Sequence, residues 1–257
     1  FGVKFQELNS RRIHRLSPII NNIMKEQLAT LHNALLQKTE IEGLAFLAEQ
    51  FPNEIVFSTS FGLEDQAVTH LILANQIPIS IFTLDTGRLF NETYSVWEST
   101  DERYNTHILP YYPKTTDIEE YVHKNGPLSF YRSVELRKEC CHIRKVEPLG
   151  RALKGKKVWV TGLRADQSTA RKDLPILEWD DTFQLFKYNP ILHWTFEDTK
   201  AFIKAHNIPY NVLHDKGFVS IGCAPCTRAI KEGEDFRAGR WWWESNSKKE
   251  CGLHEHK

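Results

Sequence analysis

Short β-rich runs alternate with helical segments along most of this chain, and that alternation constrains its fold more than any other feature. Each run ends in small or polar turn residues, and apolar residues at helical spacing follow it. Such an alternation is typical of a parallel sheet with right-handed crossovers and helices on its faces. The predicted strands are Glu54–Thr59, Pro78–Leu84, His107–Leu109 and Lys157–Thr161. We therefore expect an α/β fold whose ligands bind at the carboxyl ends of these strands.

Other elements follow from the same patterns. Predicted helices cover Ile19–Gln37, Ile41–Gln50 and Glu64–Asn75, a hairpin joins Ile176–Trp179 to Phe183–Lys187, Pro148 is expected to end one short helix and begin the next, and Thr195 caps a helix that reaches His206. The chain divides into an N-terminal helical segment (residues 1–50), an α/β domain (51–240) and a C-terminal tail (241–257).

Composition excludes some classes of function. Lys plus Arg and Asp plus Glu each number 33, so the formal net charge is zero. A general nucleic-acid binder needs a basic surface, which a neutral chain does not predict, although a few arginines could hold a small anion. No run of about 18 apolar residues is present, so no membrane span is expected.

Two strand ends carry turns suited to a nucleotide. In Ser58–Gly62, small hydroxyl residues and a glycine precede a helix, so that exposed backbone N–H groups and the helix N-terminus are available to an anion. In Leu84–Arg88, Gly87 lets the backbone approach a purine or ribose. Either turn alone is equally consistent with an ordinary strand–helix connection, but two on neighbouring strands reinforce each other.

Four arginines lie in glycine-containing loops and are candidates for binding phosphate or sulfate oxygens by paired hydrogen bonds. They are Arg164, Arg171, Arg237 and Arg240. The alternative is that each is an ordinary solvated surface arginine.

Five cysteines divide into a quartet and a single residue. Cys140, Cys141, Cys223 and Cys226 form two close pairs that could hold a metal or cluster. Spacing favours a [4Fe–4S] cluster over a structural zinc, with a redox disulfide third. Lys145 could place a positive charge near cluster and ligand, or simply face solvent. Paired cysteines of this kind indicate a reducing compartment, and cytoplasm is expected.

Cys251 stands apart in the polar tail. Lys248, Lys249 and His254 favour its thiolate, the form that attacks as a nucleophile, whereas Glu250 opposes it. A surface cysteine without function is the alternative.

Together, the Cys-Cys and Cys-x-x-Cys pairs, Leu84-Asp-Thr-Gly-Arg88, Arg237-Ala-Gly-Arg-Trp-Trp-Trp-Glu244 and Glu250-Cys-Gly-Leu-His254 strongly resemble the assimilatory adenylyl-sulfate (APS) reductases. The resemblance covers residues 55 to 254. It implies an adenine nucleotide α-hydrolase-like fold, related to ATP pyrophosphatases, and reduction of adenosine 5′-phosphosulfate to sulfite and AMP by thioredoxin or a glutaredoxin-like donor. Whether the chain forms a homo-oligomer is left open.

The resemblance also implies residue roles. Cys251 would attack the sulfate sulfur and become S-sulfocysteine, Lys145 would bridge cluster and substrate, and His254 would settle near the phosphate. The four paired cysteines would hold a [4Fe–4S] cluster. The residues expected at the nucleotide and its phosphosulfate are Thr59, Ser60, Gly62, Leu84, Gly87, Arg164, Arg171, Arg237 and Arg240.

The sequence differs from the family pattern at one position, and three alternative functions have to be compared with this hypothesis. Phe61 stands where many members of the family have a second serine, which weakens the expected contacts of Thr59 and Ser60. The rivals are a reductase of the 3′-phosphorylated substrate PAPS, an iron–sulfur tRNA-thiolating enzyme, and a non-catalytic nucleotide sensor or zinc-stabilised binding module. The four cysteines argue against the first, the absence of a Ser-Gly-Gly-Lys-Asp-Ser-like loop against the second, and Cys251 against the third.

Overall fold

The structure of the protein, a computed structural model, describes residues 24–167 and 171–244. Six strands form one sheet in the order β3-β2-β1-β4-β6-β5. All neighbours are parallel except β5 and β6, which form an antiparallel hairpin. The strands are β1 (Ile55–Thr59), β2 (Ser80–Leu84), β3 (Leu109–Tyr111), β4 (Val158–Val160), β5 (Leu177–Asp180) and β6 (Leu185–Tyr188). The predicted parallel sheet is confirmed.

Helices cover both faces of the sheet. They are α1 (described over 24–35), α2 (Glu40–Gln50), α3 (Leu63–Ala74), α4 (Asn91–Tyr104), α5 (Thr115–Asn125), α6 (Val134–Cys141), α7 (Glu147–Leu153) and α8 (Phe196–Ala205). Thr195 caps α8 through a reciprocal capping box with Asp198, as its sequence predicts. Among the residues that the structure describes, every helix is too short or too polar to cross a bilayer.

The third strand begins later than predicted. The sequence favours His107–Leu109, whereas β3 runs over Leu109–Tyr111 and pairs Leu109 with Phe82 of β2. The Ile108 N–H donates instead to the Asp101 carboxylate at 3.1 Å. Because the Asp101 side chain near the end of α4 accepts the hydrogen bond from the Ile108 N–H, the pairing of β3 with β2 begins at Leu109.

The central strands β1 and β4 are buried on both faces. Ile55 and Phe57 contribute to one apolar cluster with α2 and α3, and Val56 points to the opposite face, where it packs near Trp159 and α7. The N-terminal helices belong to the first of these clusters through residues such as Leu35 and Leu44. The described part of the N-terminal segment therefore shares its core with the sheet, and a domain boundary at residue 50 stays a prediction.

The connection from α6 to α7 is helical throughout. The sequence predicts a short helix that stops at Pro148 and a new helix that begins there. In the structure α6 continues into a π-helix (His142–Val146), and Pro148 lies in the first turn of α7, as predicted. The Glu147 N–H reaches back five residues to the His142 carbonyl, and Pro148 needs no such partner because it has no N–H. This wider turn contains Lys145, which follows the Cys140-Cys141 pair by four residues.

Candidate functional site

A cavity of about 220 Å³ opens at the carboxyl ends of β1, β2 and β4. A loop segment spanning residues 214 to 240 forms the opposite wall. Eight of the residues singled out in the sequence line this cavity: Thr59, Ser60, Gly62, Leu84, Lys145, Arg171, Arg237 and Arg240. The structure thus brings together four loops that are far apart in sequence.

The turn after β1 is shaped by Asp65, which lies in the first turn of α3. Its carboxylate accepts hydrogen bonds from both the backbone N–H and the hydroxyl of Ser60, each at 2.6 Å. Phe61 adopts a positive φ of 59°, and its ring is buried and stacks on Trp97. The ring therefore points into the core. Phe61 fills apolar space while Thr59, Ser60 and Gly62 remain at the cavity.

Asp65 gives this end of the cavity an unusual acid. Its pKa is raised to about 6, because the effect of burial, which raises the pKa, exceeds the effect of the two hydrogen bonds from Ser60, which lower it. Gly162, at the end of β4, faces it so closely that an added Cβ would lie 2.3 Å from the carboxylate. Only a glycine fits there, which explains the Thr161-Gly162 turn that the sequence shows after β4.

The turn after β2 is held by Asp85. Its buried carboxylate accepts from the Gly87 N–H at 2.8 Å and from the Tyr94 hydroxyl at 2.9 Å. Burial, followed by this hydrogen bond, raises the pKa of Tyr94 to about 12. Gly87 has a φ of +67° but does not line the cavity, and its neighbour Thr86 does. A direct nucleotide contact for Gly87 stays a prediction.

Arg240 presents a guanidinium edge to the cavity. Its side chain is buried and lies over the Trp241 ring, and its Nε has no hydrogen-bond partner among the described residues. Gly222 makes room for it, because a Cβ at that position would lie 2.4 Å from the guanidinium. A buried, positively charged donor of this kind is suited to an anionic ligand.

Arg164 is placed differently from the other three arginines. It is fully buried and does not line the cavity. Its guanidinium is paired with Glu64, at 2.7 Å, and with Asp166. The arrangement assigns Arg164 a structural part in holding the β4 loop against α3, and a direct contact with the nucleotide stays a prediction.

A second, smaller cavity lies beside the first and is lined by all four paired cysteines: Cys140, Cys141, Cys223 and Cys226. All four are free thiols, so the disulfide alternative is not what the structure contains. Arg88, Arg137, Arg144 and Lys145 line the same cavity. The quartet predicted from spacing is therefore assembled from α6 and the 223–226 turn and surrounded by basic side chains.

The two cavities share a wall. Lys145 lines both of them. Thr86, in the larger cavity, has its hydroxyl 3.3 Å from the Cys223 sulfur, and its carbonyl accepts from Arg144 at 2.6 Å. A charged group bound in either cavity would therefore lie near Lys145 and Thr86.

Cys140 and Cys223 are buried beside these cations, and Cys141 and Cys226 are half-buried. Burial raises the pKa of Cys226 to about 12 and raises that of Cys140 as well. Within 24–167 and 171–244, no three His, Cys, Asp or Glu side chains converge closely enough for a single metal ion. Four thiols that line one cavity beside positive charges are suited to a metal group bound by thiolates, because the thiolates would balance the cations; a [4Fe–4S] cluster at this site stays a prediction.

Several residues that the structure places at these cavities were not among the candidates predicted from the sequence. Thr86, Asp65 and His214 line the larger one, and Arg88, Arg137 and Arg144 line the smaller one. Arg144 could have been found from its position four residues after Cys140, which puts both on one side of a helix. His214 had no such signal. Cys251 and His254 lie outside the described residues.

The fold and its two adjoining cavities define an α/β nucleotide-binding protein of the adenine nucleotide α-hydrolase-like class. The chain belongs to the phosphoadenosine phosphosulfate reductase domain family, whose model matches residues 54–229. The family that its cysteine and tail motifs resemble is thereby confirmed.

Individual relatives agree with that membership. The chain is 53% identical to the adenosine 5′-phosphosulfate reductase of Allochromatium vinosum over 79% of each chain. It is 49% identical to the enzyme of the same name from Sinorhizobium fredii, over 86% of this chain and 88% of the relative.

Solved structures support the fold. A phosphoadenylyl-sulfate reductase from Candida auris superposes with a TM-score of 0.68 at 28% identity, covering 80% of this chain and 97% of that one. FMN adenylyltransferase from Candida glabrata superposes with a TM-score of 0.52 at 17% identity, over 90% and 85% of the two chains. The latter similarity concerns the fold alone.

Proposed function

We propose that this protein is a cytoplasmic adenylyl-sulfate reductase of sulfate assimilation, which reduces adenosine 5′-phosphosulfate to sulfite and AMP with electrons from thioredoxin or a similar dithiol. Support comes from the identity of about half of all aligned residues to relatives named for this activity. The observation that carries the proposal is a nucleotide-sized cavity whose lining includes Lys145, Arg171, Arg237 and Arg240. Four cations suit a ligand with adjacent phosphate and sulfate groups.

The cavity would bind the nucleotide through its strand-end turns. The β1 turn lines the cavity with Thr59, Ser60 and Gly62, although the Ser60 N–H is already bonded to Asp65. Leu84 offers an apolar surface and a strand-end backbone to the nucleoside. Arg237 and Arg240 would take the phosphosulfate oxygens. Positive charges fixed in this way reduce the repulsion between an anionic substrate and an incoming thiolate.

The reaction would begin with attack by the Cys251 thiolate on the sulfate sulfur. The new S–S bond forms as the bond between sulfur and the phosphate oxygen breaks, so AMP leaves with the electron pair and Cys251 becomes S-sulfocysteine. A thioredoxin thiolate then attacks the Cys251 sulfur and expels sulfite, which reduces the sulfonyl group by two electrons. The second thioredoxin thiol attacks the thioredoxin sulfur of the mixed disulfide and returns Cys251 as a thiolate.

Cys140, Cys141, Cys223 and Cys226 would hold a [4Fe–4S] cluster. When bound, the cluster supplies a fixed charge and a covalent tie between α6 and the 223–226 turn, and no electrons pass through it in this proposal. Lys145 would orient the phosphosulfate from the shared wall. His254 would approach the phosphate when the tail closes.

The decisive experiment is intact mass spectrometry of anaerobically purified protein after incubation with adenosine 5′-phosphosulfate and no reductant. We expect an SO₃ adduct on the C-terminal peptide that contains Cys251, with AMP in solution. An adduct on another peptide, or none, would overturn the mechanism. Parallel incubation with the 3′-phosphorylated nucleotide separates the two substrate classes, and a smaller yield of adduct is expected there.

A further inference from the structure

His214 is the residue of the larger cavity that the proposed chemistry leaves unexplained. His214 lines the cavity, and its two ring nitrogens are buried and make no hydrogen bond of good geometry among the described residues, the Phe218 backbone making only a weaker contact with the ring. A buried imidazole with neither nitrogen satisfied is costly, and native proteins rarely keep such a group without a reason. A ligand that enters the cavity could supply a partner to one of the two nitrogens.

The ring is held in place by a rigid support. His214 lies in a short 3₁₀ helix (Val212–Lys216) whose start is capped by the Asn211 side chain, which accepts from the Leu213 N–H at 3.0 Å. The Asn211 amide in turn donates to the Thr93 hydroxyl at 3.2 Å. Asn211 and Thr93 are both buried, and Thr93 also lines the cavity. This support ties the histidine to the start of α4.

The electrostatic surroundings of the ring indicate what it can bind. Burial lowers the pKa of His214, while the charge of Glu64, a weak hydrogen bond with the Phe218 backbone and the charge of Asp215 act in the opposite direction. The charged neighbours that influence the ring are therefore carboxylates. Glu64 also lines the cavity, and it is paired with Arg164. A phosphate or sulfate group beside these acids would be repelled, whereas an uncharged hydroxyl would not.

We propose that His214 is a ligand-contacting residue that hydrogen-bonds a ribose hydroxyl of the bound nucleotide. The inference rests on the proposed function, since it takes the ligand to be an adenosine nucleotide. An imidazole in its neutral form has one N–H donor and one acceptor nitrogen, and a hydroxyl can both accept and donate. This acidic end of the cavity then holds the sugar while the arginines hold the charged groups.

The test is a cycle of protein and ligand changes, measured by calorimetry on the anaerobically purified full chain. AMP, 2′-deoxy-AMP and 3′-deoxy-AMP bind to wild type and to His214→Phe. We expect His214→Phe to weaken AMP binding about tenfold and to have less than about a twofold effect on one of the deoxy ligands. Inosine monophosphate, altered only in the base, should show the full effect. His193→Phe, at an exposed position, is the matched control and should change nothing.

Each outcome decides the matter. Wild type that does not bind AMP overturns the proposed function and this inference with it. Normal AMP binding that is equal in His214→Phe overturns the inference alone. An effect that disappears with inosine monophosphate, and persists with both deoxy ligands, assigns the ring to the base and also overturns it.

A second measurement guards against misfolding of the variant. In wild type labelled with ¹⁵N-histidine, AMP should shift the His214 ring resonances and fix one tautomer, and neither should occur if ordered waters alone satisfy the ring. His214→Gln, which keeps a donor and an acceptor, should retain part of the AMP affinity. Affinity in that variant as low as in His214→Phe would contradict the hydrogen-bonding role.

Discussion

The Arg137 guanidinium holds the Glu244 carboxylate through two hydrogen bonds of 2.9 Å each. Arg137 is almost wholly buried, lines the cysteine cavity and also lies over the Trp241 ring. The pair joins α6, which carries two of the four paired cysteines, to the end of the described chain. Trp241 and Glu244, which the sequence assigns to the tail, thus pack against the folded body.

Removal of Glu244 should destabilise the fold. Glu244→Ala leaves a buried guanidinium without its counter-charge, and we expect a loss of about 3 kcal/mol in the free energy of unfolding. Urea denaturation measures it. The half-exposed Arg228–Glu234 pair is the matched control, and Glu234→Ala should cost less than about 1 kcal/mol. Equal losses in the two variants would contradict a special role for the buried pair.

Cys251→Ser should separate binding from chemistry. Without the thiolate no S-sulfocysteine can form, so sulfite release should fall by at least about 10³-fold. Calorimetry with AMP and the visible absorption of the purified protein should remain as in wild type, since the proposed nucleotide and cluster ligands are untouched. Substantial residual turnover would mean that another group is the nucleophile.

Lys145→Ala should lower turnover more than stability. The lysine lines both cavities, and its removal takes a positive charge from the place where the sulfate would react. We expect kcat to fall about 10²-fold, with a change of under about 1 kcal/mol in the free energy of unfolding. Lys138→Ala, an exposed lysine of the same helical stretch, is the control and should leave kcat unchanged. Similar kinetics in both variants would mean that Lys145 is an ordinary solvent-facing lysine.

Gly222→Ala should act through Arg240. The new methyl group would lie within 2.6 Å of the guanidinium carbon and push the side chain out of position. We expect the Kd for AMP to rise about tenfold, because one paired hydrogen bond to the anion is lost or misdirected. Gly150→Ala is the matched control, since no atom lies within 4 Å of its added Cβ, and it should leave the Kd unchanged. An unchanged Kd in Gly222→Ala would remove Arg240 from the binding site.

Asp65 should make stability depend on pH. Its folded pKa of about 6 is above the ordinary value of 3.8, so folding takes up a proton between these values. Its contribution to the free energy of unfolding is therefore full below pH 4 and declines as the pH rises to 6, by on the order of 2–3 kcal/mol. Asp65→Asn cannot titrate, so its stability relative to wild type should increase across that range. Urea denaturation at pH 4, 5, 6 and 7 gives the comparison, and a flat or opposite trend would contradict the raised pKa.

Much of this arrangement was predictable from the sequence, because strand ends and close cysteine pairs are local signals. The turns after β1 and β2 and the Cys140-Cys141 and Cys223-x-x-Cys226 pairs could be read directly, and the parallel topology then brings them together. The side-chain pairings could not. From the sequence alone, Arg164 cannot be told apart from the other three candidate arginines. Only the packing of α3 shows that the Arg164 guanidinium is already paired with Glu64.

Other features could not be predicted from the sequence, also because they depend on tertiary contacts. The start of β3 depends on a single hydrogen bond from Ile108 to Asp101, across a turn with no clear signature. His214 is a single histidine in a loop, and its unsatisfied nitrogens appear only once the surrounding segments are folded around it. Such properties depend on tertiary contacts over long sequence distances.

The wall that Lys145 and Thr86 form between the two cavities has a thermodynamic consequence. Coupling between two binding sites is reciprocal, so if the loading of the cysteine site alters the affinity for nucleotide, nucleotide must alter the affinity of the cysteine site by the same factor. If the cysteine site holds the proposed cluster and its loading raises the affinity for nucleotide, a shortage of iron would weaken nucleotide binding, and bound nucleotide would in turn stabilise the cluster.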